Sequence, residues 1–565
     1  MAITWTNQSP LYRLVRSRLQ ILSLELGRWM HTLAAEGEDT HVREDKGSPS
    51  APEIDCFNMR SWKVVNSRDF GIMKSSVSPS AWTVLRLLQS RGFQAYLVGG
   101  CVRDLLLKRT PKDYDVITTA SLEEVRKQFH RVRKVGSRFP ICWVYIKGTV
   151  VEVSSFETSC KNAEERKFFH LSHMPSNCDY NTLTRWRNCF QRDFTVNSLF
   201  YDPCTDRIYD YVDGIRDVMT SKIRTVIPAH LSFEEDSARI LRGLRIAARL
   251  GLVFSKETEV AIRDLSSSVI TLDKSKLMME MNFMMAYGSA GPSICLLQKF
   301  KLLECLLPIH AVYLSRQPGS KSGLSASMLM ELLCCMDKLF SADRPCDCSL
   351  WLSLLAFHLA LLLHPQDALI VWTFSSILYY GGWKKAVEYA KKSAKAHVHF
   401  VPEIISLSGN KMDEPLLEEV SHLASLVKSS ISALTNSDAL LRLMGKFQGH
   451  ACSGLVFVPK KMGQTVAALF GALETDIKSY AIERQAYDID FDLLKKGDQN
   501  EIRFVLGKVI IDAMNCGVVQ ESEQELVLAR DENGKDIREA SVGTAVGIHD
   551  CQVSNTEKMV MAFND

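Results

Sequence analysis

None of the chain's 16 cysteines falls into a C-x-x-C pair, although Cys334 and Cys335 are adjacent. Across 565 residues that argues for reduced core thiols rather than a disulfide scaffold or a zinc ribbon. Cys346 and Cys348 are too isolated to predict a metal site. Charge of one sign is also lacking: 68 Lys and Arg against 65 Asp and Glu leave +3, so any nucleic-acid surface must be local. Thirty glycines, 17 prolines and an apolar fraction of 46% exclude a collagen-like or largely disordered chain. No P-loop, no G-x-G-x-x-G after a strand and no H-E-x-x-H occurs. The two longest apolar runs, 350–363 and 368–383, fall short of the ~20 residues that span a bilayer. Both predict buried helices, and no membrane partner is expected.

Five regions follow. Residues 1–52 form an N-terminal extension. Arg13, Arg16 and Arg18 precede the first acid, Glu25, and Leu11, Val15, Leu19 and Leu22 recur at helical spacing. That start resembles an organellar transit peptide, and a polar Gly/Ser/Pro linker follows it. The expected address is the mitochondrion or chloroplast, the alternative the cytoplasm or nucleus. Residues 78–218 read as mixed α/β: helix 81–89, strand 95–98, helix 102–107, strand 113–117, helix 122–129, and a hairpin 141–146/150–153 around Lys147 and Gly148. From about 221 to 516 the pattern stays helical, divided into a neck, 219–290, and a body and tail, 291–516. The stretch 517–565 carries six net negative charges and few aromatics, so a solvated tail is expected.

The chemistry-bearing residues begin at the strand 95–98, which meets Gly99 and Gly100 and then a helix. Glycines there let backbone N–H groups approach a phosphate, and Arg103 stands one turn further on. Asp113 and Asp115 are two apart on an expected strand, so their carboxylates share a side. Two like charges so placed suit a hard cation such as Mg²⁺ held against phosphates. Glu152 lies on the expected strand 150–153, opposite in facing to Val151 and Val153. Arg192, Asp193 and Asn197 occur within the run 191–199. In the run 235–250, Asp236 and Arg239 are three apart on an expected helix, with Arg242, Arg245 and Arg249 on another stripe. An Arg-rich helix without an acid after Asp236 argues for anion binding. Residues 126–147 add seven basic residues and no acid, either a path for RNA or a solvated charged turn.

These motifs resemble the nucleotidyltransferase superfamily of DNA polymerase β. More narrowly, they resemble its class II branch, the bacterial-type poly(A) polymerases and tRNA CCA-adding enzymes. The resemblance is strongest over 78–254, and the stretches 135–158 and 185–193 are most like plant members. It implies a polymerase-β-like α/β head followed by an all-α neck, body and tail. It also implies transfer of AMP from ATP to an RNA 3′ end, with release of pyrophosphate.

By the same resemblance Asp113 and Asp115 hold two Mg²⁺ ions, with Glu152 the third catalytic acid. Gly99, Gly100, Arg103, Arg192, Asp193 and Asn197 contact the nucleotide's phosphates and sugar. Asp236 and Arg239 read its base in place of a template, with Arg242 and Arg245 beside them on phosphate or sugar. Gln191 replaces the family's first Arg and Glu157 replaces an Arg after Phe156. The stretch 135–144 resembles a marker of poly(A) polymerases through Gly136, Arg138 and Phe139, with Ser137 and Trp143 departing. Two alternatives stay open: a CCA-adding enzyme with the same site, and a non-catalytic RNA-binding relative.

Overall fold

The computed structural model describes residues 62–136, 140–158, 179–317, 327–405, 412–447, 449–450, 452–475, 477–482, 484 and 486–518. All lie in one compact unit, Met1–Val518. The expectations for the extension 1–52, for Arg138 and Phe139, and for the acidic stretch beyond 518 fall outside these residues.

The head is built on an eight-stranded sheet: β1 (Lys63–Asn66), β2 (Ala95–Val98), β3 (Asp115–Thr118), β4 (Val132–Val135), β5 (Ile141–Ile146), β6 (Thr149–Ser155), β7 (Phe200–Asp202) and β8 (Arg207–Asp210). Their order is β1-β8-β7-β2-β3-β6-β5-β4. The pairs are antiparallel except β3 with β6, which run parallel. β1 enters the sheet from before residue 78, so the head begins earlier than its sequence pattern suggests; a four-residue strand on an exposed edge leaves little periodicity to read.

β2 shows why its residues read as a continuous apolar run. Ala95 and Leu97 face one core, with Val84, Leu85 and Leu88 of the Pro79–Ser90 helix. Tyr96 and Val98 face a second, with Phe156, Trp186 and Phe200. A strand covered on both faces needs no alternation. Ser78 caps the Pro79–Ser90 helix by accepting the Ala81 N–H, and Ser121 with Glu124 forms a capping box on Leu122–Gln128. The β5–β6 hairpin turns through Lys147 and Gly148, both at positive φ.

Beyond the head the chain is helical, interrupted only by two-residue strands among the described residues: β9 (Lys222–Ile223) with β10 (Val253–Phe254), and β11 (Gln366–Asp367) with β12 (Ile404–Ile405). The two long apolar runs are the helices Cys348–Leu363 and Ala368–Tyr380, buried on nearly every side. Phe357 and Phe374 stack across them at 5.7 Å. Of the polar residues within the first run, Ser353 donates to the Ser349 carbonyl, and His358 Nε2 lies 3.1 Å from Glu403 Oε1. Helix Gln499–Cys516 packs on Ala368–Tyr380 so closely that a Cβ at Gly507 would stand 2.6 Å from the Ser375 carbonyl. Among the described residues no helix is long and apolar enough to cross a membrane. The described cysteines are free.

Candidate active site

The turn after β2 sets the site. Gly99 has φ 80° and ψ −137°, a conformation that side-chain-bearing residues rarely adopt. A Cβ there would also stand 3.2 Å from Arg192 Nη1 and 3.7 Å from Asp115 Oδ2. One glycine thus brings backbone against both a guanidinium and a carboxylate. The helix that follows, Gly100–Leu106, has only seven residues, so positive charge here comes mainly from arginine side chains rather than from a long helix dipole.

Asp115 opens β3 and stands in register with Glu152 on β6. Asp113 is not on the strand, which begins two residues later than expected; it sits in the bend after Pro111, exposed, 3.7 Å from Lys112 Nζ. The two carboxylates still line one cleft. Burial first, and then the Glu152 charge, push Asp115 up to about 6, with Arg192 opposing and Asp113 adding. Burial and the Asp113 charge likewise raise Glu152. Asp115 and Glu152, both raised in this way, present hard oxygen donors to a divalent cation, with the Asp113 carboxylate beside them.

The 192–197 motif forms a bonded shelf under the glycine turn. Arg192 donates through Nε to Asn188 Oδ1 at 3.1 Å and through Nη1 to the Asn197 carbonyl at 3.2 Å. Asn197 accepts from Arg103 Nη1 at 2.6 Å and donates to Asp193 Oδ1 at 3.0 Å. Asp193 Oδ2 accepts from Arg242 Nη1 at 3.0 Å, which ties the head to the neck helix Ala238–Leu250. Burial alone would raise Asp193, but Arg242 and Asn197 hold its carboxyl below the usual range. Arg103 is buried and forks onto Asp104 through Nε and Nη2 at 2.9 and 2.7 Å.

The neck departs from the sequence reading. Asp236 lies in the break between the helices Ala229–Glu235 and Ala238–Leu250, so it shares no helix face with Arg239. Its Oδ1 accepts from the Ala238 N–H and from Lys276 Nζ at 3.0 Å. Arg239 is buried and turns back, donating to the Ser232 hydroxyl at 2.8 Å and standing 3.4 Å from Glu235 Oε2. Neither residue lines the cleft. The reason is the chain break itself: Asp236 takes an extended conformation, which rotates Arg239 inward as the second residue of a new helix.

A cleft of about 370 Å³ gathers the rest: Gly99, Gly100, Arg103, Asp113, Asp115, Arg192, Asp193, Asn197, Arg242 and Arg245 all line it. Glu152 is outside that lining, beside Asp115 on the sheet. Six basic and four acidic side chains border the cleft, so its balance is positive. Sequence reasoning missed Lys112, Phe283 and Tyr287. The two rings lie 5.2 Å apart on the far wall, and Lys112 Nζ sits 4.6 Å from the Tyr287 ring centre. The i,i+4 spacing of the aromatics near the end of an apolar helix was their one available signal. Glu280, one turn before them and buried, holds Arg245 at 3.0 Å.

The basic run 126–147 lies elsewhere. Arg133 and Lys134 are exposed on β4, the sheet's edge strand, and Arg126 pairs with Glu123 at 3.0 Å. Charges there discourage edge-to-edge pairing. Arg133, Trp143, Glu152 and Asp115 occupy successive register positions across β4, β5, β6 and β3.

Comparison with known proteins bears on this arrangement. Residues 95–224 match the family described as "Poly A polymerase head domain". Residues 251–314 match "Probable RNA and SrmB- binding site of polymerase A". Poly(A) polymerase I of Haemophilus influenzae is 32% identical over 261 residues, 46% of this chain and 57% of that protein. The CCA-adding enzyme of Leuconostoc citreum is 30% identical over 230 residues, 40% of this chain and 55% of that protein. The matches therefore span a little over half the length of these curated relatives. The Bacillus stearothermophilus CCA-adding enzyme in complex with CTP aligns at 23% identity and TM-score 0.39, over 70% of this chain and 93% of that one, too distant to inform side-chain roles. Its glycine turn and paired carboxylates fall within the segment that matches the poly(A) polymerase head domain, and the segment that matches a polymerase RNA-binding site follows it in the chain.

Proposed function

We propose that this chain adds AMP from ATP to RNA 3′ ends without a template, releasing pyrophosphate. The observation that carries the reading is the convergence of Asp113 and Asp115 with Arg103, Arg192, Arg242 and Arg245 in one cleft, with Glu152 in register beside Asp115. Anionic ligands for a divalent cation thus stand next to a cationic shelf of the size and sign a triphosphate requires.

The donor set fits Mg²⁺, because the three acids offer only oxygen and the charge crowded around Asp115 and Glu152 favours a cation. When bound, two such ions on Asp113 and Asp115 supply Lewis acidity toward the attacking hydroxyl and charge compensation at the pyrophosphate. The protein's own part is positional. Gly99 and Gly100 let the triphosphate approach backbone N–H groups. Arg103 and Arg192 are pre-oriented by Asn197 and Asn188, so little reorganisation accompanies phosphate binding. Glu152, in register beside Asp115 but outside the cleft lining, would serve as the third catalytic acid. Phe283 and Tyr287 offer a stacking wall to a base. Asp236 and Arg239 remain our candidates for base selection; Arg239 would exchange its Ser232 bond for the base edge.

Addition of AMP alone is favoured by the longer match to relatives named poly(A) polymerase I, 46% of the chain against 40% for CCA-adding enzymes. The second reading is CCA addition to tRNA. The test offers a generic RNA and a tRNA lacking its 3′ end, each with ATP alone and with ATP plus CTP. A long A tail on both, falling steeply with salt, is expected, because phosphate contacts carry no register and let RNA slide. Extension of the tRNA alone, by a short CTP-requiring addition, would replace the first reading with the second.

A further inference from the structure

We propose that Glu331, Cys335 and Cys516 form a zinc(II) site in the helical body, apart from the nucleotide cleft. Helix Met328–Leu339 presents Glu331 and Cys335 four residues apart, hence on one face. Helix Gln499–Cys516 packs against it and delivers Cys516 from its last turn. One donor atom from each residue lies within 4.8 Å of the other two. Two thiolates and a carboxylate bound tetrahedrally to one zinc ion stand about 3.3–3.8 Å apart, so small rotamer adjustments close the set.

The surroundings match a cation rather than a bare acid cluster. The donors are two cysteines and one carboxylate, with Cys335 buried and Glu331 half-buried. Asp512 is one turn before Cys516 on the same helix, and its carboxylate is ion-paired with Lys508 at 3.3 Å. Each helix therefore carries an acid and a cysteine four apart, and water can complete the fourth position. Thiolate ligands select zinc over Mg²⁺ or Ca²⁺. Cys335 is buried, Glu331 half-buried and Cys516 exposed, so the site opens to solvent at one end. Binding would release the thiol protons and clamp helix Gln499–Cys516 to helix Met328–Leu339. The absence of C-x-x-C spacing hides such a site, because its ligands come from segments far apart in sequence.

The experiment uses the full chain, purified under a non-thiol reductant and stripped of metal. Zn²⁺ is titrated against a chromogenic chelator, and Co²⁺ replacement is read for thiolate-to-metal charge-transfer absorption. One tight equivalent and a sulfur charge-transfer band are expected. Cys335→Ser and Cys516→Ser should each weaken binding more than about tenfold and remove the band or reduce it to about half. Cys516→Ser changes an exposed residue at a helix end, so its metal-free melting temperature should match the parent, while the rise on adding Zn²⁺ disappears. Asp113→Asn combined with Asp115→Asn should leave the site intact. No charge-transfer band, zinc affinity unchanged by Cys516→Ser, or a Cys335–Cys516 disulfide in zinc-free protein isolated without reductant would each overturn the proposal.

Discussion

Asp115 and Glu152 stand side by side in register on β3 and β6, the one parallel pair in the sheet among the described residues. Each raises the cost of ionising the site, and Asp113 adds to both. A folded apo head therefore holds charge that a bound cation would relieve. Removing that charge should stabilise the apo protein even as it destroys the site.

Asp115→Asn is expected to abolish nucleotide transfer while raising apo stability by about 1–3 kcal/mol at pH 7.5. The sign follows from the raised pKa: the folded state holds the Asp115 proton more tightly than the unfolded chain, so parent stability declines as pH rises from about 4 to about 6. Asp113→Asn should also lose transfer but leave stability nearly unchanged, because Asp113 is exposed. Urea melts in EDTA and a primer-extension assay check both; an Asp115→Asn protein less stable than the parent would contradict the charge account.

Arg242→Ala leaves the buried Asp193 carboxylate without its cation and should cost about 3 kcal/mol at pH 7. Asp193 is held below its usual pKa, so it adds stability above about pH 4 that fades as pH falls through its folded value. The difference between variant and parent should therefore shrink in acid. Paired melts at pH 7 and near pH 3 measure it, and a gap that stays constant would show that packing, not charge, sets the loss.

Asp236→Ala tests base selection more cleanly than Arg239→Ala does, because Arg239 is buried and bonded to Ser232, whereas Asp236 is partly exposed. Asp236→Ala should reduce discrimination between ATP and the other nucleotides by roughly tenfold, about 1.4 kcal/mol. Arg239→Ala should in addition lower stability by about 1–3 kcal/mol. Incorporation of four nucleotides at equal concentration is the readout; an unaltered ATP preference in Asp236→Ala would remove it from base selection.

Residues 1–50 are proposed to direct the protein to a mitochondrion or chloroplast and to be dispensable for transfer. Fused to a fluorescent reporter, they should produce organellar signal, and the chain lacking them should keep primer extension. A diffuse cytosolic signal would end the organellar proposal.

Short-range patterns carried much of this protein in plain text. The helix Pro79–Ser90, the strand Ala95–Val98, the β5–β6 hairpin and the buried helices Cys348–Leu363 and Ala368–Tyr380 all follow from periodicity, caps and turn residues within a dozen positions. The glycine turn and Asp115 were legible for the same reason, since their chemistry is adjacent in sequence. Other features depend on distant segments. The 63–66 strand gains its place only by pairing with β8, and Phe283 with Tyr287 becomes a wall of the cleft only when the neck folds back on the head. Asp236 and Arg239 looked like partners because spacing of three implies one face, yet a single extended residue between two helices sends them apart. Glu331, Cys335 and Cys516 meet only where two body helices pack. Local sequence sets backbone preference through nearby sterics and hydrogen bonds, whereas which side chains share a cavity depends on the burial of apolar surface between segments that no local pattern relates.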